Sequence, residues 1–366
     1  MALPFDPIAI LGYGHFGRAL SALASDAGLK VRVYDPHVAV PAAQRAPTLQ
    51  ACLSGAPCAL LAVPMEAFRD VLGGIRPLLS RESVVIDVTS VKRPAVQACR
   101  DLLGDVIPWV ATHPLFGPAS LARGEPLQAV VCPDTPHHSA RAQVEALYHR
   151  LGCRIILQDS DGHDQLMAET HALAFFIAKG MLSIGAGQGQ QGVPPSFGAM
   201  ASTIETVRSD AGHLFFSIQH ANPHAAAARK RLLDALGRIH DELAAVKQSP
   251  TSAAERLAIP TAPPPELADT REAIDVIDAS IVQLLAQRAQ LARRAARVKA
   301  EGGRAVHDPA REHRLLEARR EAATGADLDP DATADVFEAI LRLSRTEQHR
   351  WLDAHTRTSQ KPPVRP

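Results

Sequence analysis

Cysteine, aromatic residues and long apolar runs are all scarce in this chain, and each scarcity excludes a class of protein. The five cysteines are odd in number and scattered, with no CxxC pair, which argues against a disulfide framework or structural zinc and favours a reducing compartment. No apolar run is long enough to span a bilayer, and the first residues lack the basic start of a signal peptide. We therefore expect a soluble, cytoplasmic protein with no membrane partner.

The chain also lacks an excess of charge of either sign, because 39 basic residues are matched by 39 acidic ones. This balance gives no global reason to expect a nucleic-acid partner. The 16 histidines raise the question of a metal, but no HExxH motif occurs, and Asn222-Pro223 breaks the helix that would align His220 with His224. We expect no catalytic metal. The 366 residues, 46% of them hydrophobic, fit two or three globular domains.

The first apolar run leads directly into a glycine motif of the form G-x-G-x-x-G, made by Gly12, Gly14 and Gly17. In such a motif the first glycine allows a tight turn, the second lets the backbone approach a pyrophosphate, and the third permits close helix–strand packing. A second strand, over residues 31–35, ends in Asp35, where an acid is needed for ribose hydroxyls. Because Asp35 would repel a 2′-phosphate and no arginine follows closely, the motif predicts NAD rather than NADP.

Apolar runs and helical patterns then alternate as far as residue 157. The predicted strands cover residues 58–63, 83–87, 107–111, 129–132 and 153–157, and the predicted helices cover residues 65–79 and 139–151. The apolar runs are continuous, which is typical of a parallel sheet covered on both faces. The pattern predicts an α/β Rossmann-type dinucleotide-binding domain over residues 1–160.

Polar side chains follow two of these predicted strands. The strand over 107–111 ends on Thr112-His113, and Ser90 follows the strand over 83–87. Ligands of an open α/β sheet bind at the carboxyl ends of its strands, so His113 would place a titratable imidazole beside the cofactor. Two interpretations of Ser90 stay open. It caps the next helix, as Thr89 also could, or its hydroxyl lies beside the cofactor or substrate.

From about Asp161 the pattern changes to helices without strands, which predicts an all-α dimerisation and substrate domain over residues 161–248. His163 and Asp164 lie near the start of its first helix, and Arg208 lies in a later one that is interrupted near Gly212. The glycine-rich stretch 185–192 lacks the ending of a phosphate loop and predicts a flexible connection. The Pro-rich stretch 249–265 predicts a linker, and residues 354–366 predict a tail.

Beyond the linker the sequence predicts a three-helix, all-α domain over residues 266–353, with a long first helix to about Lys299. Asp308 is the predicted cap of the second helix, after a break at Gly302-Gly303, and the third runs over 331–351. The first helix carries apolar residues at steps of three and four, at Leu267, Ile274, Ile277, Ile281, Leu284, Leu291, Ala295 and Val298. Arg271 and Arg288 fall on the same stripe, where a charge is costly unless it is paired or bound to an anion. Three such helices cannot close a core alone, so we expect a homodimer.

Residues from about 7 to 247 resemble a prephenate dehydrogenase, and four motifs in order carry the likeness. They are Gly12-x-Gly-x-x-Gly17, Asp87-Val-Thr-Ser-Val-Lys92, Thr112-His-Pro-Leu-Phe-Gly-Pro118 and His163-Asp-x-x-Met-Ala168, the third being the most specific. The resemblance implies oxidative decarboxylation of prephenate with NAD. It gives His113 a hydrogen bond from the ring hydroxyl of prephenate, places Ser90 near that hydroxyl and the nicotinamide, and assigns a substrate carboxylate to Arg208.

The sequence departs from this family at one position. Members often carry a second, substrate-binding histidine in an A-L-x-H-F pattern, where this chain has Ala172-Leu-Ala-Phe175-Phe. His171, one helical turn earlier, either compensates or is simply packed. The departure leaves a choice between prephenate and its amino analogue arogenate as the substrate.

Residues 266 to about 352 resemble an all-helical chorismate mutase. The matches are Leu-x-x-x-Arg271, Ile274-Asp-x-Ile-Asp278, Leu284-Leu-x-x-Arg288, Lys299, Asp308-x-x-Arg-Glu312 and Ser344-x-x-x-Gln348, without gaps between them. The resemblance implies an interlocked dimer in which Arg271 of the second chain and Arg288 clamp substrate carboxylates. It implies that Lys299 and Gln348 donate to the ether oxygen. Asp308 and Glu312 would address the ring hydroxyl, with Arg311 and Ser344 in support.

The product of a chorismate mutase is the substrate of a prephenate dehydrogenase, so the two resemblances together imply a bifunctional enzyme of tyrosine biosynthesis that makes 4-hydroxyphenylpyruvate. Two alternatives remain open. One is an arogenate-preferring, or cyclohexadienyl, dehydrogenase with a working mutase. The other treats the C-terminal helices as a binding or dimerisation module without mutase activity.

Overall fold

We analysed the protein as a computed structural model. It describes residues 5–186, 194–209, 213–245, 267–301, 305 and 307–359. Two compact units are present, residues 1–118 with 127–261 and residues 119–126 with 262–366, and each is considered by itself. Five predicted segments lie wholly or partly outside the described residues: residues 187–192 of the flexible connection 185–192, the break near Gly212, the linker 249–265, the Gly302-Gly303 break, and residues 360–366 of the tail 354–366.

The first unit is built on a seven-stranded sheet within the described part of the chain. The strands, in the order β2-β1-β3-β4-β5-β6-β7, are β1 Ile8–Leu11, β2 Val31–Tyr34, β3 Cys58–Leu61, β4 Val84–Asp87, β5 Trp109–Pro114, β6 Leu127–Val131 and β7 Cys153–Leu157. Neighbours from β2 to β5 are parallel. The strand order reverses between β1 and β3, which is the switch point where such sheets bind ligands at their carboxyl edge.

The predicted parallel arrangement holds for most of the sheet but not for the pair β5–β6. Strand β6 runs antiparallel to β5, pairing His113 with Val130, and β7 is parallel to β6. A parallel join needs a long crossover, usually with a helix on the sheet. The connection from β5 to β6 holds only the six-residue helix α5, Pro118–Arg123. A strand buried on both faces has the same apolar sequence in either direction, so its sequence could not reveal the reversal.

Helices connect the parallel strands and cover the sheet. They are α1 His15–Asp26, α2 Leu49–Leu53, α3 Met65–Ile75, α4 Arg93–Leu102 and α6 His138–Arg150, with a short 3-10 turn at Arg76–Leu78. The central strands β1, β3 and β4 are buried at every position. Trp109 at the start of β5 and Phe68 and Leu72 of α3 belong to the same core. This core holds the carboxyl ends of the strands in fixed positions.

The remainder of the first unit is helical, as predicted. It comprises α7 Ser160–Met167, a π-helical turn Ala168–Ala172, α8 Leu173–Ser183, α9 Pro195–Ser209, α10 His213–Phe216, a second π-helical turn Ser217–Ala221 and α11 Ala225–Ala245. Asp159 caps α7 by accepting from the Gly162 N–H. A small core around Phe175, Ile204 and Ile218 joins these helices to Val91, in the loop after β4.

From residue 262 onward the second unit contains three helices within its described residues, as the sequence predicts: α12 Leu267–Glu301, α13 Pro309–Gly325 and α14 Pro330–Ser359. The prediction of a tail from residue 354 is wrong for residues 354–359, because α14 continues to Ser359. The predicted cap is confirmed, because the Asp308 side chain accepts from the Arg311 N–H at 3.0 Å. Small side chains at Ala289, Ala292 and Ala296 line the buried face of α12. The predicted apolar stripe of α12 stays exposed at Ile274, Ile277, Ile281, Leu284, Leu291, Ala295 and Val298.

Candidate active sites

The glycine turn after β1 has the geometry that its sequence predicts. Gly12 has a φ of 99°, and a Cβ there would lie 2.3 Å from the carbonyl oxygen of Ala62. A Cβ at Gly17 would lie 2.1 Å from the carbonyl oxygen of Gly12, because α1 begins directly against the turn. Around Gly14 there is open space, since a Cβ would meet nothing within 4 Å. The first and last glycines are therefore required by the backbone packing of the turn. The middle one borders open space, and we call the turn from Gly12 to Gly17 with this space the glycine cradle.

Asp35 lies beside this cradle, directly after β2. Its carboxylate accepts backbone hydrogen bonds from Tyr13 at 2.6 Å, from His37 at 2.8 Å and from Val38 at 2.9 Å. Partial burial opposes ionisation, but these backbone N–H groups outweigh it and lower the pKa of Asp35. The cradle thus has a fixed negative charge on one side and the N-terminus of α1, which favours phosphate, on the other. These residues fit a dinucleotide.

The two glycine roles are separable by substitution. For Gly14→Ala we expect an unchanged melting temperature and dinucleotide binding weakened about tenfold or more, because the added methyl enters the cradle. For Gly17→Ala we expect a loss of stability of about 1–3 kcal/mol, because the methyl collides with backbone. Thermal unfolding and calorimetric titration measure the two effects. Equal loss of stability in both variants would contradict the assignment of the open space to a ligand.

His113 is the penultimate residue of strand β5 and is buried, with 5% of its surface exposed. Its Nδ1 atom lies 2.9 Å from Nε2 of His163, and the two rings meet edge to face. Burial, followed by the nearby His163 and Lys92, holds the pKa of His113 well below its ordinary value. The imidazole is therefore neutral at physiological pH and has a lone pair to offer a proton donor.

A buried ion pair lies next to His113. Lys92 and Asp87 are both fully buried, and the Lys92 ammonium contacts the Asp87 carboxylate and the carbonyl oxygen of Thr112. Thr112 Oγ1 also donates to the Asp87 carbonyl at 2.6 Å. A buried charge of this kind is tolerated only when it is paired and hydrogen-bonded. The pair fixes the ends of β4 and β5 relative to each other, and with them the position of His113.

Asp164 connects the helical part to the same edge of the sheet. Its carboxylate accepts from the backbone N–H of Lys92 at 2.7 Å and of Arg93 at 2.8 Å. Asp164, and not Thr89 or Ser90, therefore satisfies the N-terminus of α4, so that the capping interpretation of Ser90 is wrong. Ser90 is half-buried in the loop between β4 and α4. This loop lies at the same carboxyl edge as His113, since β4 and β5 are paired neighbours.

Arg208 and Phe175 differ in their surroundings. Arg208 is exposed on α9, and its Nη1 atom lies 3.2 Å from the Glu205 carboxylate. Phe175 is buried in the small helical core, and its ring packs edge to face on His171 at 4.5 Å between centroids. The position where the family often has a histidine is thus filled by a core side chain.

Several of the predicted mutase residues come together in the second unit. Arg288 of α12 reaches α14, where Nη1 donates to the carbonyl oxygen of Ile340 at 3.2 Å and contacts Ser344 Oγ. Burial, followed by the guanidinium groups of Arg311 and Arg319, lowers the pKa of Arg288 from its ordinary value. The positive charges of Arg311 and Arg319 thus act on Arg288 and are partly opposed by the Glu312 carboxylate, and an anionic ligand would stabilise the charged form of Arg288 further.

The other predicted mutase residues have the following positions. Ser344 and Gln348 are buried on α14, and no donor in the described part of the chain reaches Gln348 Oε1. Glu312 pairs with Arg345 and lies 3.5 Å from His307. Lys299 is half-buried near the end of α12, and Asp308 is exposed at its cap position. Arg271 lies in α12, but its side chain is outside the described part.

Sequence reasoning did not identify Lys92, Asp87 and the His163–Asp164 pair as parts of the first site. The sequence interpretation places His163 and Asp164 at a helix start and inside a family motif, but it gives them no role in the site. A signal for these residues was present in the sequence, because a lysine and a His-Asp pair occur in two family motifs whose other residues are mostly apolar or small. Their contacts join α7, α4 and β5, which no local pattern reveals.

No group of three or more His, Cys, Asp or Glu side chains suited to a metal ion occurs among the residues whose placement is described. Within the same ranges, no helix is long and apolar enough to cross a membrane.

A parallel sheet with a glycine turn at its switch point, and a buried histidine at the same edge, defines the class of dinucleotide-dependent oxidoreductases. Two family models match the chain. Prephenate dehydrogenase, nucleotide-binding domain, matches residues 35–157, and chorismate mutase type II matches residues 270–349. The chain belongs to the prephenate dehydrogenase family and carries a chorismate mutase type II domain after the dehydrogenase part.

Individual relatives agree with this placement. A 4-amino-4-deoxyprephenate dehydrogenase of Streptomyces pristinaespiralis is 34% identical over 196 residues, which span 51% of this chain and 64% of that protein. A cyclohexadienyl dehydrogenase of Zymomonas mobilis is 30% identical over 206 residues, which span 50% of this chain and 68% of that protein. A crystal structure of Aquifex aeolicus prephenate dehydrogenase with hydroxyphenyl propionate and NAD+ shares the fold, with a TM-score of 0.56 and 17% identity over 70% of this chain and 96% of that one.

Proposed function

We propose that the chain is a bifunctional enzyme that rearranges chorismate to prephenate and oxidises prephenate with NAD to 4-hydroxyphenylpyruvate and CO₂. One observation carries the dehydrogenase half: a neutral, buried His113 at the carboxyl edge of β5, in the same sheet edge as the glycine cradle. The contact of Arg288 with Ser344 across two helices, with further positive charge from Arg311 and Arg319, supports the mutase half.

In the dehydrogenase reaction His113 accepts the proton of the ring hydroxyl at Nε2, while the hydrogen on the same carbon leaves as hydride. NAD supplies the hydride acceptor when bound. The C–COO⁻ bond then breaks, its electron pair makes the ring aromatic, and the oxygen takes the proton back from His113. Ser90 lies near the hydroxyl and nicotinamide in this proposal, and Arg208 binds a substrate carboxylate.

Asp35 accounts for the choice of NAD. We expect Asp35→Ala to raise the KM for NAD about 10- to 100-fold, because a charged hydrogen bond to the ribose is worth about 1.5–3 kcal/mol. The KM for NADP should fall, since the repulsion of its 2′-phosphate is removed. Steady-state kinetics with both coenzymes measure the change. An unaltered ratio of the two KM values would show that Asp35 does not face the ribose.

In the mutase reaction the ether C–O bond breaks as a new C–C bond forms, so no atom is lost and no covalent intermediate is needed. The site has to hold two carboxylates in a folded conformer and stabilise charge on the ether oxygen. Arg288 and Arg271 of a second chain bind the carboxylates. Lys299 and the amide nitrogen of Gln348 donate to the ether oxygen. Glu312 and Asp308 bind the hydroxyl, with Arg311 and Ser344 in support.

This proposal includes a homodimer. The exposed apolar stripe of α12, which runs from Ile274 to Val298, is too long and continuous for an isolated helix in water. A second copy of the helix would cover it and bring Arg271 to the site. Analytical ultracentrifugation of the full chain measures the oligomeric state directly.

A second candidate differs in substrate. The two curated relatives compared above are named for 4-amino-4-deoxyprephenate and for cyclohexadienyl compounds. Phe175 supports such a difference, because a phenyl ring in the helical core cannot make the polar contact of the histidine often found there. Arogenate has its amino group on the side chain, whereas 4-amino-4-deoxyprephenate has an amino group in place of the ring hydroxyl. The loss of a histidine at position 175 therefore bears on the side chain of arogenate, and the ring amino group would be recognised at His113.

Comparison of prephenate, arogenate and 4-amino-4-deoxyprephenate, each with NAD and NADP, decides between these candidates. Our proposal predicts the highest kcat/KM for prephenate with NAD. A higher value for either amino compound would establish the second candidate. If the protein oxidised none of the three compounds, the proposed dehydrogenase function would be wrong.

A further inference from the structure

The buried histidine of the dehydrogenase site stands at the end of a chain of three side chains. Asp164 Oδ1 lies 2.8 Å from Nδ1 of His163, and Nε2 of His163 lies 2.9 Å from Nδ1 of His113. All three side chains are buried, with exposures of 0%, 0% and 5% for Asp164, His163 and His113. Both ring nitrogens of His163 and Nδ1 of His113 thus have one defined partner each.

The direction of these hydrogen bonds follows from the charge on Asp164. Its carboxylate accepts two backbone N–H bonds, from Lys92 and Arg93 at the N-terminus of α4, and both bonds favour the ionised form. An ionised carboxylate can only accept, so His163 donates from Nδ1. Burial lowers the pKa of His163, and a neutral ring that donates from Nδ1 has its lone pair at Nε2. His163 therefore accepts from His113, which must carry its proton on Nδ1.

We propose that His163 and Asp164 are positioning residues that hold His113 in the Nδ1–H tautomer, so that Nε2 of His113 keeps the lone pair that accepts the substrate proton. This inference rests on the proposed dehydrogenase function and adds the source of its basic atom. The opposite polarity would require a protonated Asp164, against two backbone donors, or a doubly protonated His163 in a buried position.

The same hydrogen bonds between Asp164, His163 and His113 also stabilise the site after His113 has accepted the substrate proton. Once Nε2 of His113 is protonated, the ring is a cation in a buried site that also contains the Lys92 ammonium and His171. His113 then donates from Nδ1 to His163, and the negative charges of Asp164 and Asp87 act on His163. These interactions partly offset the new positive charge on His113. A comparable carboxylate–histidine arrangement in serine proteases is worth about 10⁴-fold in rate, through the same control of tautomer.

The direct test is the tautomer itself. In the resting full-length protein labelled with ¹⁵N-histidine, the inference predicts a pyrrole-type resonance for Nδ1 and a pyridine-type resonance for Nε2 of His113. The spectrum of a His113→Asn variant assigns the signals. The reverse pattern would overturn the inference, whatever the enzyme does with prephenate. Inactivity of the wild-type protein with a correct tautomer would instead refute the proposed function.

Variants supply a second test. We expect Asp164→Asn to lower kcat for prephenate oxidation about 10²- to 10⁴-fold, because an amide can donate to His163 Nδ1 and reverse both tautomers. We expect His163→Phe to lower kcat by a similar factor. The decrease in His163→Gln should be smaller, because the glutamine amide oxygen can accept a hydrogen bond from His113. Asp161→Asn is the matched control: this exposed carboxylate on α7 pairs with Arg93 and His224 and should leave the rate unchanged.

The pH profile separates positioning from a purely structural role. Because the pKa of His113 and that of His163 are both lowered, wild-type kcat/KM should stay level down to below the ordinary histidine value of about 6.5. Asp164 stabilises a proton on the pair, so the acid limb of Asp164→Asn should move to lower pH while the maximum falls. A lower maximum with an unmoved limb, or a rate within about twofold of wild type, would contradict the inference.

Discussion

Replacement of His113 by asparagine is expected to lower kcat for prephenate oxidation about 10²- to 10⁴-fold, the usual contribution of a positioned base. Asparagine is small enough for the position of His113 near the end of strand β5, but it has no nitrogen lone pair that could accept the hydroxyl proton. The glycine cradle and Asp35 are untouched, so the affinity for NAD should stay within about twofold. Stopped-flow measurement of NADH formation, with calorimetric titration of NAD, gives both quantities.

The mutase activity of the same protein is the internal control. The mutase residues lie in the other unit, so His113→Asn should convert chorismate at the wild-type rate. Loss of both activities together would indicate a folding defect. Normal oxidation of prephenate by the variant would show that the base lies elsewhere.

Replacement of Lys299 by alanine is expected to lower the mutase kcat about 10²- to 10³-fold, as removal of a donor to developing negative charge does. Lys299 lies half-buried near the end of α12. Prephenate oxidation should be unaffected. Disappearance of chorismate, followed by its absorbance, measures the change.

Arg293→Ala is the matched control for Lys299. Arg293 is an exposed cation of the same helix and pairs with the mostly buried carboxylate of Glu347. It should keep the full mutase rate. If Lys299→Ala behaves like this control, the C-terminal helices serve binding or dimerisation, and the mutase assignment is wrong.

The parts of the fold that depend on local patterns were predictable from the sequence. The glycine turn, the position of His113 at a strand end and the Asp308 cap each follow from a short run of residues, and the structure has all of them. The exposed stripe of α12 was predictable for the same reason, because helical periodicity depends only on spacing. Catalytic roles remain predictions, since they rest on chemistry that geometry alone does not test.

The parts that depend on distant contacts were not predictable. The antiparallel β5–β6 join follows from the short connection between these strands, while the apolar pattern of β6 is the same in either direction. The bond from Asp164 to the backbone of Arg93 joins residues 71 positions apart, and it displaced the expected role of Ser90 as a cap. Phe175 shows the same limit, because its burial depends on Val91 and Ile218, far away in sequence.

The central claim is that one chain carries out two consecutive reactions. The most direct measurement is NADH formation by the purified full-length protein supplied with chorismate and NAD, with prephenate and NAD in a parallel reaction. We predict NADH and 4-hydroxyphenylpyruvate from both starting compounds, with chorismate oxidation abolished by either His113→Asn or Lys299→Ala. Formation of NADH from prephenate but not from chorismate would contradict the claim.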